Sequence, residues 1–219
     1  MTPKEFLQLL RRNWLLLLAV PLATAASIFF FSRKEIKEYA SDTTIYTGIA
    51  SGYNIDKNGS GNDYANGKAY ANLLSLINAR ETKREVALRL LARHLMLPSY
   101  DSAVLSPETY SKFQLLIRAP LRQQLTGSSV EETVSKLDTY LKTDNKNVVY
   151  KILNSEIPTY SFAALSKIAA YQVGNSDLIK IEYVSDDAAV CQQTLVDLTQ
   201  VFIRRHRSLQ EGRNGSVIG

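Results

Sequence analysis

The side chains in this 219-residue chain that could do chemistry are few and scattered. His94 and His206 are its two histidines, and neither has a Cys, a His or a carboxylate at metal-ligand spacing, so both read as helix-surface positions. Cys191 is the single cysteine; it rules out an intrachain disulfide, and its apolar helical neighbours predict an inert buried thiol. Asp186 and Asp187 are adjacent, and adjacent helical residues point in different directions, so they read as first-turn carboxylates suited to the helix dipole rather than as an acid and base pair. Asp56, Asn58, Ser60 and Gly61 repeat the opening of a calcium loop, but the twelfth position is Gly67 where a bidentate Glu is required, and no helix precedes it. That stretch, 51–67, reads as a connecting loop. With no phosphate loop, nucleophile elbow or dinucleotide fingerprint either, the expectation is a non-enzymatic chain needing no cofactor and no metal.

Charge is the remaining chemistry. A helix expected over 64–96 carries Arg80, Glu81, Lys83, Arg84, Glu85, Arg89 and Arg93 on one face, with Glu85 and Arg89 spaced for an i,i+4 pair. The plain reading is a solvated, ion-paired face; the surplus of arginine makes Arg80, Arg84, Arg89 and Arg93 the candidate contacts for an acidic glycan. A second basic run, Arg204 to Arg207, suits the C-terminal end of a helix dipole and lacks the interleaved aromatics of a nucleic-acid patch, so no nucleic-acid partner is expected. The net charge of +5 and pI near 9.2 favour an acidic partner only mildly.

The elements that must position these groups follow residues 14–31, WLLLLAVPLATAASIFFF, which contain no charge. From Trp14 to Phe31 a helix covers ~27 Å, about one hydrocarbon core, and Pro21 is a kink that a membrane helix tolerates. Arg11 and Arg12 precede the run, and Arg33 and Lys34 follow it. A cleaved signal would share the basic start and the small residues at 23–26, but Ile28 to Phe31 resume the apolar run, which predicts an uncleaved anchor. Positive charges balance on the two flanks and leave orientation open. Composition, 45% hydrophobic and 21% charged, fits one globular domain beside the anchor.

Beyond the anchor, alternation over 42–50, with Ile45, Thr47 and Ile49 on one side, predicts a strand, and Ile179, Ile181 and Tyr183 do the same for 177–184. Helices are expected over 106–125 with a bend at Pro120, from Ser128 or Ser129 to about 141, and over 159–173. A last helix is capped by Ser185 and buries Leu195, Leu198, Val201, Phe202 and Leu209. The fold class is α+β: one N-terminal transmembrane helix, then a helix-rich domain with a small sheet.

In this order the segments FLQLLRRNWLLLLAV, YASDTTIYTGIASG, KAYANLLSLINARETKREVALRLL and NSDLIKIEYVSDDAAVCQQTLVDLTQVFIRRHRSL resemble chain-length determinant proteins, the Wzz-type polysaccharide co-polymerases. The last segment is the most specific, a strand with Ile181, Tyr183, Ser185 and Asp186 running into a long helix. It departs from the family in having Asp187 and Ala188 where proline often follows the turn aspartate. The resemblance implies a cytoplasmic tail at 1–13, a transmembrane helix at 14–31, a membrane-proximal α/β domain at 32–185 and the start of a long helical arm at 186–219. It also implies a bacterial inner-membrane location with the main domain periplasmic, and a homo-oligomeric ring acting with a polysaccharide polymerase or export machinery. The two strands would lie together in a basal sheet, and the chain would be the N-terminal portion of a two-anchor protein. Without the resemblance, a membrane-tethered or secreted binding module for an acidic ligand is the alternative.

Overall fold

The computed structural model describes residues 12–32, 37–49, 62–144, 146–157 and 159–215. The chain forms two compact units, 1–37 and 38–219. The first holds α1, Trp14–Ser32, a 19-residue helix exposed along its length. By length and composition it is able to cross a membrane, a test that a signal sequence near an N-terminus also passes. Pro21 lies inside it, and the hydroxyls of Thr24 and Ser27 bond back to the carbonyls of Val20 and Ala23, both at 2.8 Å. Such back-bonding satisfies hydroxyls where water is absent. Arg12, Trp14 and Phe31 are described; Arg11 and the flank at 33–36 lie outside the described residues, as does most of the loop expected at 51–67.

The second unit is helix-rich with one small antiparallel sheet. Its elements are β1 (Tyr39–Tyr46), α2 (Asn62–Asn78), α3 (Arg80–Leu95), α4 (Pro107–Leu116), α5 (Ala119–Leu125), α6 (Val130–Thr143), α7 (Val148–Asn154), α8 (Phe162–Leu165), β2 (Ala169–Gln172), β3 (Leu178–Ser185) and α9 (Ala188–Gly215). The sheet order is β1-β3-β2. β1 pairs with β3 over its whole length, from Tyr39 opposite Ser185 to Tyr46 opposite Leu178, and β2 closes the other side of β3. Alternation gives the sheet two faces: Ile179, Ile181 and Tyr183 are buried with half-buried Ile45 beside them, while Asp42, Lys180 and Glu182 form an outer ion-paired row. α9 packs across β1 and β3 and then along α3, which also meets α6.

Six local expectations are corrected, the first being the burial of Leu209, which is exposed near the end of α9. The strand expected at 42–50 starts and stops earlier, because Gly48 takes φ +69° and turns the chain. Thr47 therefore lies just past β1, still donating its amide to Asp177 at 2.8 Å, and Ile49 packs on the core from a turn. The helix expected over 64–96 is two helices broken at Ala79, whose ψ of 140° is extended; no Gly or Pro marks the break. The bend at Pro120 is a full break, with Ile117 and Arg118 extended and the proline in the first turn of α5, where its missing amide costs nothing. The helix expected over 159–173 is the short α8 followed by β2, and Gly174, at φ +55°, turns β2 into β3 as a hairpin. Finally, α9 is capped by Asp187 rather than Ser185: its Oδ1 accepts the amides of Ala189 at 2.9 Å and Val190 at 3.3 Å.

Candidate functional site

The four arginines singled out for an acidic ligand do not form one surface. α3 is the central helix of the second unit, buried on most sides through Val86, Ala87, Leu88, Leu90, Leu91 and Ala92. Its polar positions are divided among its neighbours accordingly. Arg89 is buried, its side chain 7% exposed, between Glu85 at 3.9 Å and Glu131 of α6 at 3.5 Å. Arg93 turns to α9, where Nη2 and Nε donate to the two carboxylate oxygens of Asp197 at 2.9 and 3.3 Å. Glu85 also receives Arg204 and Arg205 from α9, so the basic run at 204–207 partly serves as a clamp between helices. The expectation of a solvated, ion-paired face is therefore overturned for Arg89, while Arg93 is ion-paired and half-buried.

Arg80 and Arg84 remain, and they share a cleft. One turn apart at the start of α3, they line a cavity of about 440 Å³ with Lys142 at the end of α6, Tyr150 and Asn154 of α7, and Phe162 of α8. Arg80 stands over the Phe162 ring at 4.8 Å from its centre and donates to Asn154 Oδ1 at 3.4 Å. Arg84 and Lys142 flank Asp138, at 3.6 and 2.6 Å. A second hollow of about 370 Å³ shares the Arg80 and Phe162 pair and is lined by Asn78, Lys83, Ser155 and Glu156 as well. Among the described residues neither Arg80 nor Lys83 has a carboxylate partner, and burial lowers the pKa of the Lys83 ammonium. α3 opens here on Ala79, which has no side-chain oxygen to cap the first amides.

A second polar centre is enclosed and was missed in the sequence. His94, expected at a helix surface, is fully buried, with Nδ1 2.6 Å from the Tyr160 hydroxyl and Nε2 3.1 Å from Gln193 Oε1. Gln193 donates its amide to the Val104 carbonyl at 2.9 Å, which turns Oε1 toward the imidazole; Nε2 then carries the proton, and Nδ1 accepts from Tyr160. Burial pushes the His94 pKa down to about 4. Every polar atom of this chain of contacts is satisfied, and it binds α3, α9 and the segment before α8 into one core. His206, half-buried, stacks on Phe202.

Cys191 is buried, its thiol directed at the carbonyls of Tyr183 at 3.1 Å and Tyr39 at 3.3 Å. Among the described residues no group of three or more His, Cys, Asp or Glu could hold a metal ion. The calcium-like positions Asp56, Asn58, Ser60 and Gly61 lie outside them, and Gly67 is part of α2.

Fold and site together define a helix-rich chain with a three-stranded antiparallel sheet, one apolar N-terminal helix and a basic, aromatic cleft. No family model matches it, and neither does any curated protein or solved structure.

Proposed function

We propose that the chain is a non-enzymatic inner-membrane subunit of surface-polysaccharide assembly, working as a homo-oligomer that regulates glycan length or couples polymerisation to export. On this reading α1 spans the bacterial inner membrane, the N-terminus is cytoplasmic and the unit from 38 onward is periplasmic. The observation that carries it is the pairing of β1 with β3 along all eight residues of each. It joins the strand that follows the apolar helix to the strand that feeds the long helix α9, the basal arrangement the resemblance to chain-length determinants implies.

The test has two arms. Deleting the gene is expected to change the length distribution of the surface glycan on a gel, and cross-linking in native membranes is expected to give multimers. An unchanged glycan ladder together with a strictly monomeric protein at high concentration would overturn the reading. A second reading, a membrane-tethered or secreted module that binds an acidic ligand, is favoured by the cleft at Arg80 and Arg84. It predicts binding without any multimer.

A further inference from the structure

We infer that the divided cleft around Arg80 holds a linear acidic oligosaccharide, laid across the Arg80 and Phe162 pair with one stretch in each hollow; this rests on the polysaccharide reading above and names the part of the chain that touches glycan.

Three observations carry it. The first is shape: two hollows of about 440 and 370 Å³ share Arg80, Phe162, Leu153 and Asn154, so a ligand filling both must be extended rather than compact. The second is the spacing of charge. Arg80 and Lys83 are cations without carboxylate partners among the described residues, and Lys83 is partly desolvated as well, so an anion placed beside it recovers Coulomb energy that no protein group supplies. The third is the neutral lining. Asn78, Asn154 and Ser155 line the hollows beside the cations, and the Tyr150 hydroxyl has no partner among the described residues, which suits a chain rich in hydroxyls.

Carboxylates at the same cleft narrow the ligand further. Glu81 and Asp138 lie by the first hollow and Glu156 by the second, so a polymer with one charge on every unit at nucleic-acid density would meet repulsion. One face of the Phe162 ring is already taken by the Arg80 guanidinium, which leaves less of the ring to stack a base. A polyhydroxylated chain with more widely set carboxylates meets neither obstacle.

The experiment uses the full chain in detergent and calorimetric titration with a uronic-acid octasaccharide, a neutral glucan of equal length, and an oligothymidylate. The uronide is expected to bind, more weakly as salt rises from low to physiological strength, and the neutral glucan to bind at least tenfold more weakly. Arg80→Ala and Lys83→Gln are each expected to weaken the uronide about tenfold. Arg80→Lys, which keeps the charge and loses the planar stack, should fall between wild type and Arg80→Ala. Lys112→Ala, on exposed α4, should leave binding unchanged. Since Arg80→Ala could unsettle α8, melting is followed in parallel, and Lys83→Gln supplies the test on an undisturbed fold. Equal binding of the neutral glucan, tighter binding of the oligothymidylate, or indifference to both Arg80→Lys and Lys83→Gln would overturn the inference. A glycan-length phenotype without uronide binding would remove the cleft and leave the polysaccharide role standing; uronide binding without any such phenotype would do the reverse.

Discussion

Arg93 on α3 grips Asp197 on α9 with two hydrogen bonds, and the two residues differ sharply in exposure: the arginine side chain is 35% exposed and the aspartate 0%. That asymmetry predicts unequal mutants. Arg93→Ala strands a carboxylate where water cannot reach it, at a cost of about 3 kcal/mol. Asp197→Asn keeps an acceptor for a guanidinium that can also turn to solvent, and should cost about 1–2 kcal/mol. Urea denaturation of the full chain measures both; equal losses would contradict the buried placement of Asp197.

His94 makes stability depend on pH over a defined window. The unfolded chain protonates this imidazole near pH 6.5, whereas the folded chain, in which burial holds its pKa at about 4, does not. Between those values the unfolded state binds more protons, so stability is complete above pH 6.5 and falls as pH drops toward 4, by roughly 3 kcal/mol in all. Thermal melting at several pH values reads this directly, and His94→Gln should flatten the dependence across that window. A wild-type melting point constant from pH 7 to 4.5 would contradict the enclosed, neutral imidazole.

Asp187 ties two helix starts together. Besides capping α9, its Oδ2 accepts the amide of Ser106, itself the cap of α4. Burial raises the pKa of this carboxyl, but the bonds it accepts from Ser106, Thr109 and Val190 win and leave it below the ordinary value. Asp187→Ala is expected to cost about 2 kcal/mol, and Asp187→Asn, which keeps the capping oxygen, clearly less. Chemical denaturation of the two variants side by side decides it.

The Cys191 thiol offers a reporter. It is buried, and burial raises its pKa, so little thiolate is present or reachable at neutral pH. A disulfide-exchange reagent should label it at least about a hundredfold faster in urea than in the native protein, as expected for a closed site that reacts only on opening. Rapid native labelling would show that the start of α9 is open beneath β1 and β3.

How legible these features were differs from element to element. β3 was plain because Ile179, Ile181 and Tyr183 alternate with Lys180 and Glu182, and a sheet buried on one face writes that period into its sequence. The caps at Ser106, Ser129 and Asn147 were local, and the first two could be read from the chain alone. β2 could not, since Ala169 to Gln172 contain no β-branched residue and owe their conformation to the open side of β3. The cleft was half legible. Arg80 and Arg84 were named from their spacing, but Phe162, Tyr150 and Lys142 reach them from 58 to 82 positions away, and only tertiary packing brings them together. Arg89 and His94 were misassigned for one reason: α3 is enclosed on most sides, so its sequence has no clean polar face to show which polar groups are sealed in.

The chain enters the sheet at Tyr39 and leaves it at Ser185, and these two residues sit opposite each other at one end of the β1 and β3 ladder. Mechanically this is the geometry of a zipper. A pull between residue 37 and α9 would load the Tyr39 and Ser185 rung first and peel the pairs one after another toward Tyr46, rather than shear all eight at once. Within the ladder such a pull thus falls first on a single rung, the one whose Tyr39 carbonyl is also held by the Cys191 thiol.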